Sequence, residues 1–296
     1  MSNWKTAALR PDICIYHGGC DDGFGAAWVV WKKWGAGVTF IPGVYANEPP
    51  DVVARQILGK HILLVDFSYK RPIIEAMARS SASLTILDHH KTAQADLHDL
   101  EAWAEGEGLE DRVCVIFDME RSGARLAWDF CFAGEEAPTL IDYVEDRDLW
   151  RFAYGDNTRL YSAALRTYPQ SFQVWDVIAR NSITLLDEGR IVLRAHRTNL
   201  EKFLLDKLTA TIGGHQVPCL NVPYHYASDA AHELLVLFPK APFAAAWFRR
   251  GDGLYQYSLR SEDSRLDVSE IAKAYGGGGH RNAAGFQVGL EVRELV

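Results

Sequence analysis

Histidine and carboxylate side chains concentrate at four points of this chain. They are the segment His17-Gly18-Gly19-Cys20-Asp21-Asp22-Gly23, the single Asp66, the triplet Asp88-His89-His90, and the run Glu145-Asp146-Arg147-Asp148. Carboxylates and imidazoles are donors that suit Mn²⁺, Zn²⁺ and Fe²⁺. Several carboxylates brought into one cleft repel one another unless cations neutralise them. Two metals about 3.5–4 Å apart, bridged by a shared carboxylate, would meet that need and make a hydrolytic site. Each cluster has a plainer reading on its own. Asp66 suits a turn or cap, His89-His90 a surface or core position, the glycine segment an ordinary turn, and the acidic run a solvated helix face. Their joint occurrence in this order points instead to one site.

Three of the four clusters follow apolar runs that read as buried strands: Ile13 to Tyr16, His61 to Phe67 and Leu84 to Leu87. Val113 to Phe117 reads as a fourth. Between them the spacing predicts helices over Phe24 to Trp34, with Phe24, Ala27, Trp28 and Trp31 on one stripe, and over Pro72 to Arg79. Ser122 is a candidate N-cap for a helix to about Phe132, and Thr139 to Trp150 reads as another. Continuous apolar strands alternating with helices predict an α/β fold, a parallel sheet flanked by helices. Loops at the strand exits then meet in space, at the edge where open α/β sheets bind ligands.

From residue 169 to 208 the pattern is helical and reads as a connector. Beyond it, Phe243 to Phe248 and Leu254 to Leu259 flank Arg249-Arg250-Gly251-Asp252-Gly253, a hairpin signal. Ser269 to Tyr275 reads as a short helix, followed by Gly276-Gly277-Gly278-Gly279-His280. The expected organisation is a metal-binding domain over 1–168, the connector over 169–208, and a smaller C-terminal α/β domain over 209–296, with a cleft between the domains.

The 296 residues carry a formal charge of −8 and are 48% hydrophobic, the balance of a globular chain with a core. That excludes a disordered, collagen-like or coiled-coil chain. The acidic balance argues against coating long duplex nucleic acid, and residues 247–296 hold equal numbers of acidic and basic side chains, so no long basic track is expected. Five cysteines without CxxC spacing suggest neither a disulfide framework nor a zinc ribbon. The N-terminal MSNWKTAALRPD lacks the apolar core of a signal peptide, and no run is long enough to span a bilayer, so a cytoplasmic location is expected.

The four clusters resemble the motifs of the DHH phosphoesterase superfamily. The triplet is Asp88-His89-His90; the first motif resembles His17-x-x-Cys20-x-Asp22-Gly23; the second matches Asp66 in LLVDFS; the fourth best matches Asp146. The run Gly276 to Gly285 (GGGGHRNAAG) resembles the signature of that superfamily's associated C-terminal domain. Two unlike signatures in the expected order make the resemblance specific, and it covers nearly the whole chain. An oligoribonuclease-like or cyclic-nucleotide phosphodiesterase-like member is the implied subtype.

The resemblance implies a dinuclear centre, usually with two Mn²⁺, with Zn²⁺, Fe²⁺, Co²⁺ or Mg²⁺ as alternatives. It assigns His17, Asp22, Asp66, His89 and Asp146 as metal ligands, with Asp66 shared by both metals. It assigns His90 to the scissile phosphate and Asp88 to orienting the histidines. Cys20 stands where many relatives carry an aspartate, so its part in the metal set is open, with Asp21 or Asp148 as substitutes. Arg260, Gly278, Gly279 and His280 are expected to bind substrate phosphate.

The expected function is a phosphodiesterase acting on short oligonucleotides or cyclic (di)nucleotides. An exopolyphosphatase or nucleotide phosphatase is the alternative within hydrolases, and a non-catalytic nucleotide-binding regulator the alternative of another class. No membrane partner is expected. The tryptophan-bearing helix faces suit burial within the chain or a homodimer interface.

Overall fold

The computed structural model describes residues 9–44, 56–181 and 184–289. Most of the N-terminal stretch read for targeting, residues 1–8, and the last residues of the expected C-terminal domain, 290–296, lie outside the described residues. The chain divides into two compact units, Met1–Leu193 and Arg194–Val296.

The first unit is built on a parallel five-stranded sheet. Its strands are β1 (Ile13–His17), β2 (Thr39–Gly43), β3 (His61–Val65), β4 (Ser83–Asp88) and β5 (Val113–Phe117), in the order β2-β1-β3-β4-β5. Strand β2 has no counterpart in the sequence expectations. It is an edge strand with a proline in it, and its burial alternates weakly, so periodicity does not reveal it. The other four strands coincide with the apolar runs, because both faces of a parallel sheet are covered and every position must be apolar.

Each face of the sheet has its own core. On one side Trp28, Trp128, Tyr161 and Trp175 pack with Cys14, Leu63 and Leu87, supplied by helices Asp21–Trp34, Gly123–Cys131, Asp156–Leu165 and Phe172–Arg180. On the other, Ile74, Met77, Leu97, Leu100 and Ala104 pack on Ile15, Ile62, Leu64 and Ile86. Trp28 is fully buried and Trp31 packs partly buried against the same core, so the tryptophan stripe of the first helix is core.

The register decides where the chemistry collects. Tyr16 pairs with Val65, and Val65 with Leu87, so the next row holds His17, Asp66 and Asp88 at the ends of three adjacent strands. The chain winds from β1 to β2 in one direction and from β3 through β5 in the other. The reversal lies between β1 and β3, and such a switch point opens a crevice at the carboxyl ends of the strands.

The second unit has a six-stranded mixed sheet in the order β10-β11-β9-β8-β7-β6. The strands are β6 (Leu208–Ile212), β7 (His215–Asn221), β8 (Ala244–Arg249), β9 (Tyr255–Arg260), β10 (Gly278–His280) and β11 (Ala283–Val288). Only β7 and β8 run parallel. Helix Ala227–Leu237 contributes to one apolar cluster and helix Val268–Ala274 to another. The expected hairpin is present as β8 and β9. Helices Phe172–Arg180 and Thr184–Phe203 occupy the stretch read as helical, and the boundary between the units falls inside the second of them. No helix among the described residues is long and apolar enough to cross a membrane.

Candidate metal centre

The chain turns sharply to place each donor. His17 ends β1, and Cys20 caps the next helix, its sulfur accepting the Gly23 N–H at 3.2 Å. Asp22 lies in that helix's first turn. Gly23 must be glycine, because a Cβ there would come within 2.2 Å of the His17 carbonyl oxygen. Asp66 leaves β3 with φ +54°, a left-handed conformation uncommon outside glycine. Beside it, a Cβ on Gly123 would come within 2.3 Å of the Asp66 Cβ, so Gly123 makes room for that carboxylate. Gly123 is not among the expected site residues, and its clash with Asp66 is across the fold.

Asp88 is fully buried and holds the triplet in place. Its Oδ1 accepts the N–H of His89 at 2.8 Å, the N–H of His90 at 3.2 Å and pairs with His90 Nδ1 at 2.7 Å. Its Oδ2 accepts the Ser68 hydroxyl at 2.6 Å. An ionised carboxylate only accepts, so Nδ1 of His90 carries the hydrogen. Burial works against the Asp88 charge, yet His90 and Ser68 hold its carboxyl below the ordinary range.

Two donor groups assemble in this unit. His17, Asp66 and His90 form one, and Asp22, His89 and Asp148 the other, the donor atoms within each lying within 4.8 Å of one another. Asp66 joins them: its Oδ1 is 3.0 Å from His89 Nε2 and its Oδ2 is 3.5 Å from His17 Nδ1. Asp22 also accepts from Gly123 N at 2.6 Å and Ala124 N at 3.0 Å, which ties it to the start of helix Gly123–Cys131. That helix is capped, as expected, by Ser122, whose side chain accepts from Arg125 N.

The carboxylates and imidazoles of the cluster move one another far from their ordinary titration ranges. Burial pushes the Asp22 carboxyl well above its ordinary value, and Asp66 and Asp148 push the same way. Burial also opposes the Asp66 charge, but hydrogen bonds from His17 and His89 outweigh it and hold that carboxyl well below the ordinary range. Burial lowers His89, yet the Asp66 hydrogen bond and the charges of Asp148, Asp66 and Asp22 prevail and push it up to about 10. Burial, with the charges of Asp66 and Asp22, pushes the Cys20 thiol well above its ordinary value. The cluster thus holds positive charge as protons where a divalent cation would serve. Buried mixed nitrogen and oxygen donors of this kind fit such a cation.

The aspartate expected from the fourth motif lies apart from both donor groups. Asp146 is not brought to this cluster. Its carboxylate accepts from Ala153 N at 2.8 Å, Tyr154 N at 3.3 Å and the Thr158 hydroxyl, and so braces the following loop. Asp148 takes the place beside His89, 3.6 Å from Nε2. Helix Thr139–Asp148 carries both aspartates, and residues two apart on a helix point to different sides. Asp21 is also elsewhere, paired with Arg166 at 3.4 Å.

In the second unit, Arg260, Ala283 and His280 pair in one row across β9, β11 and β10. Directly paired residues project to the same face, so Arg260 and His280 flank Ala283 on one side of the sheet. The Arg260 guanidinium donates to the Leu259 carbonyl at 2.8 Å and to the Ser228 hydroxyl at 2.6 Å. Gly278 pairs with Gly285 and Gly279 with Ala284. Gly279 has φ +138°, and a Cβ on Gly277 would come within 2.1 Å of the Gly285 carbonyl oxygen. Close strand packing therefore accounts for part of the glycine run.

No protein-family model matches the chain. Among curated proteins, it is 29% identical over 301 residues to the uncharacterized protein R106 of Acanthamoeba polyphaga mimivirus, an alignment covering 94% of this chain and 67% of that protein. Among solved structures, RecJ of Thermus thermophilus in complex with Mn²⁺ matches at 15% identity and TM-score 0.48, over 93% of this chain and 49% of that one. The DHH domain of a member of the s1p family of ribosomal proteins matches at 14% identity and TM-score 0.57, over 93% of this chain and 82% of that one. That last likeness, with the two sheets and their order, establishes that the chain has the fold of this DHH-domain protein.

Proposed function

We propose that the chain is a metal-dependent phosphoesterase of the DHH superfamily that hydrolyses phosphodiester bonds in short oligonucleotides or cyclic (di)nucleotides. The observation that carries this reading is the pair of donor groups joined by Asp66 at the carboxyl edge of the parallel sheet. His17 and Asp66 would hold one divalent cation, and Asp22, His89 and Asp148 the other, with Asp66 shared. Such cations, when bound, make water nucleophilic near neutral pH and neutralise phosphoryl charge.

The chain's own groups do the rest. Asp88 accepts the Nδ1 hydrogen of His90 and, against the cost of burial, raises its pKa, which favours the doubly protonated ring whose Nε2–H can donate to a phosphoryl oxygen. Residues 1–168 serve as the metal-binding part and 209–296 as the substrate-binding part, with Arg260, Gly278, Gly279 and His280 as an anion-recognition face. The charge of −8 supports a small substrate over a long polymer. The aromatic rings beside the C-terminal glycines, Tyr275 and Phe286, stack on each other at 4.4 Å and pack in the core.

The test is hydrolysis, with Mn²⁺ or Zn²⁺ added, of a dinucleotide, a 3′,5′-cyclic mononucleotide, a cyclic dinucleotide, a nucleoside bisphosphate and polyphosphate. Cleavage of a diester, absent from Asp66→Ala, is the expected result. Cleavage of polyphosphate alone would move the assignment to an anhydride hydrolase. Ligand binding without turnover by any member would favour a nucleotide-binding regulator.

A further inference from the structure

Cys20 is unlike three of the other cysteines of this chain. Cys14, Cys131 and Cys219 are buried within apolar clusters. The Cys20 sulfur instead lies 3.4 Å from His17 Nδ1 and 3.5 Å from Asp66 Oδ2, and those two atoms are 3.5 Å apart. Three donor atoms of three kinds thus form a nearly equilateral triangle.

The edges of that triangle match those of a tetrahedral zinc site. With Zn–S near 2.3 Å and Zn–N and Zn–O near 2.0–2.1 Å, neighbouring donors on a tetrahedron stand about 3.3–3.6 Å apart. Oxygen donors around octahedral Mg²⁺, with bonds near 2.1 Å, stand about 2.9–3.0 Å apart. All three separations fall in the tetrahedral range. Three protein donors with a fourth position left for solvent or substrate is also how catalytic zinc sites are built.

Capping does not explain the cysteine. Position 20 starts a fourteen-residue helix, where Ser, Thr, Asp and Asn are the residues that cap well. An aspartate would cap that helix and carry a hard oxygen donor as well. The Gly23 N–H donated to the sulfur fixes its direction toward His17 and Asp66. A thiol that coordinates a cation gives up its proton, and the helix N-terminus favours the resulting thiolate.

We infer that Cys20 ligates the metal held by His17 and Asp66, and that its thiolate makes this position selective for a thiophilic, tetrahedral cation such as Zn²⁺ over Mn²⁺ or Mg²⁺. The inference rests on the metal-centre reading above, and the test separates the two.

The full-length protein, stripped of metal, is titrated with Co²⁺ and followed by absorption. The wild type should develop a near-ultraviolet thiolate-to-cobalt charge-transfer band together with the visible bands of tetrahedral cobalt. Cys20→Ser and Cys20→Asp should lose the ultraviolet band. In calorimetry, Cys20→Asp should lower the ratio of Zn²⁺ to Mn²⁺ affinity about tenfold or more. X-ray absorption of the zinc-loaded wild type, which needs no variant to fold, should show a sulfur neighbour near 2.3 Å, about one for every two zinc ions when both positions fill. Cobalt binding without the charge-transfer band, or a band that survives in Cys20→Ser, overturns the inference and leaves the metal centre standing. Failure of the wild type to bind Co²⁺, Zn²⁺ or Mn²⁺ overturns both.

Discussion

Asp88 Oδ1 meets His90 Nδ1 at 2.7 Å and also accepts the backbone N–H groups of His89 and His90. One buried oxygen thus sets the positions of two histidines and the tautomer of one. Asp88→Asn keeps the volume but replaces a carboxylate that only accepts with an amide that also donates. Activity of the loaded protein should fall about 10- to 100-fold, while metal content, measured by elemental analysis, stays above half of the wild-type value. Full activity in Asp88→Asn would remove the orienting role.

Asp146 and Asp148 should separate stability from chemistry. Asp146→Ala strips acceptors from Ala153, Tyr154 and Thr158, and should cost about 2 kcal/mol in denaturant unfolding of the metal-free protein. Asp148→Ala should leave metal-free stability within about 1 kcal/mol, since its carboxylate is 34% exposed. It should instead abolish the rise in Tm that metal produces in the wild type. The reverse pattern would return the ligand role to Asp146.

Gly123→Ala puts a methyl group 2.3 Å from the Asp66 Cβ, with Gly123 at the start of a helix and Asp66 at the exit of β3. Overpacking of this kind costs about 1–3 kcal/mol. Because the displaced group is the shared carboxylate, metal affinity should fall together with stability. A variant with wild-type Tm and wild-type metal affinity would show that the carboxylate has room to move.

A pH dependence independent of the metal centre follows from Asp176, which joins helix Phe172–Arg180 to Lys32 on the first helix at 2.9 Å and also pairs with Arg180. Burial raises its carboxyl, but Lys32 and Arg180 outweigh that and hold it below the reference value of 3.8. A lowered folded-state pKa contributes stability that is present above the unfolded value and is lost as pH falls through the folded one. Asp176→Asn should therefore cost about 1 kcal/mol at pH 7. The gap between the thermal melts of the two proteins should begin to close as pH falls below the reference value of 3.8 and go on closing as pH falls through the folded-state value. A gap that does not shrink at all as pH is lowered would assign the cost to packing.

Four strands, several of the flanking helices and most of the residues that meet in the two donor groups were legible in the sequence, because a parallel sheet buried on both faces demands unbroken apolar runs and places chemistry at their ends. The triplet Asp88-His89-His90 is readable for the same reason: it follows its strand directly. Three things needed the tertiary structure. Which aspartate of Glu145-Asp146-Arg147-Asp148 reaches His89 depends on the rotation of a helix about its axis, which neighbouring packing sets. The requirement for Gly123 arises from contact with Asp66, fifty-seven residues earlier in the chain. The triangle of Cys20, His17 and Asp66 exists only because parallel pairing puts the ends of β1 and β3 side by side. Local spacing specifies residue types at strand ends, whereas the distances between donors on different strands are products of register and packing.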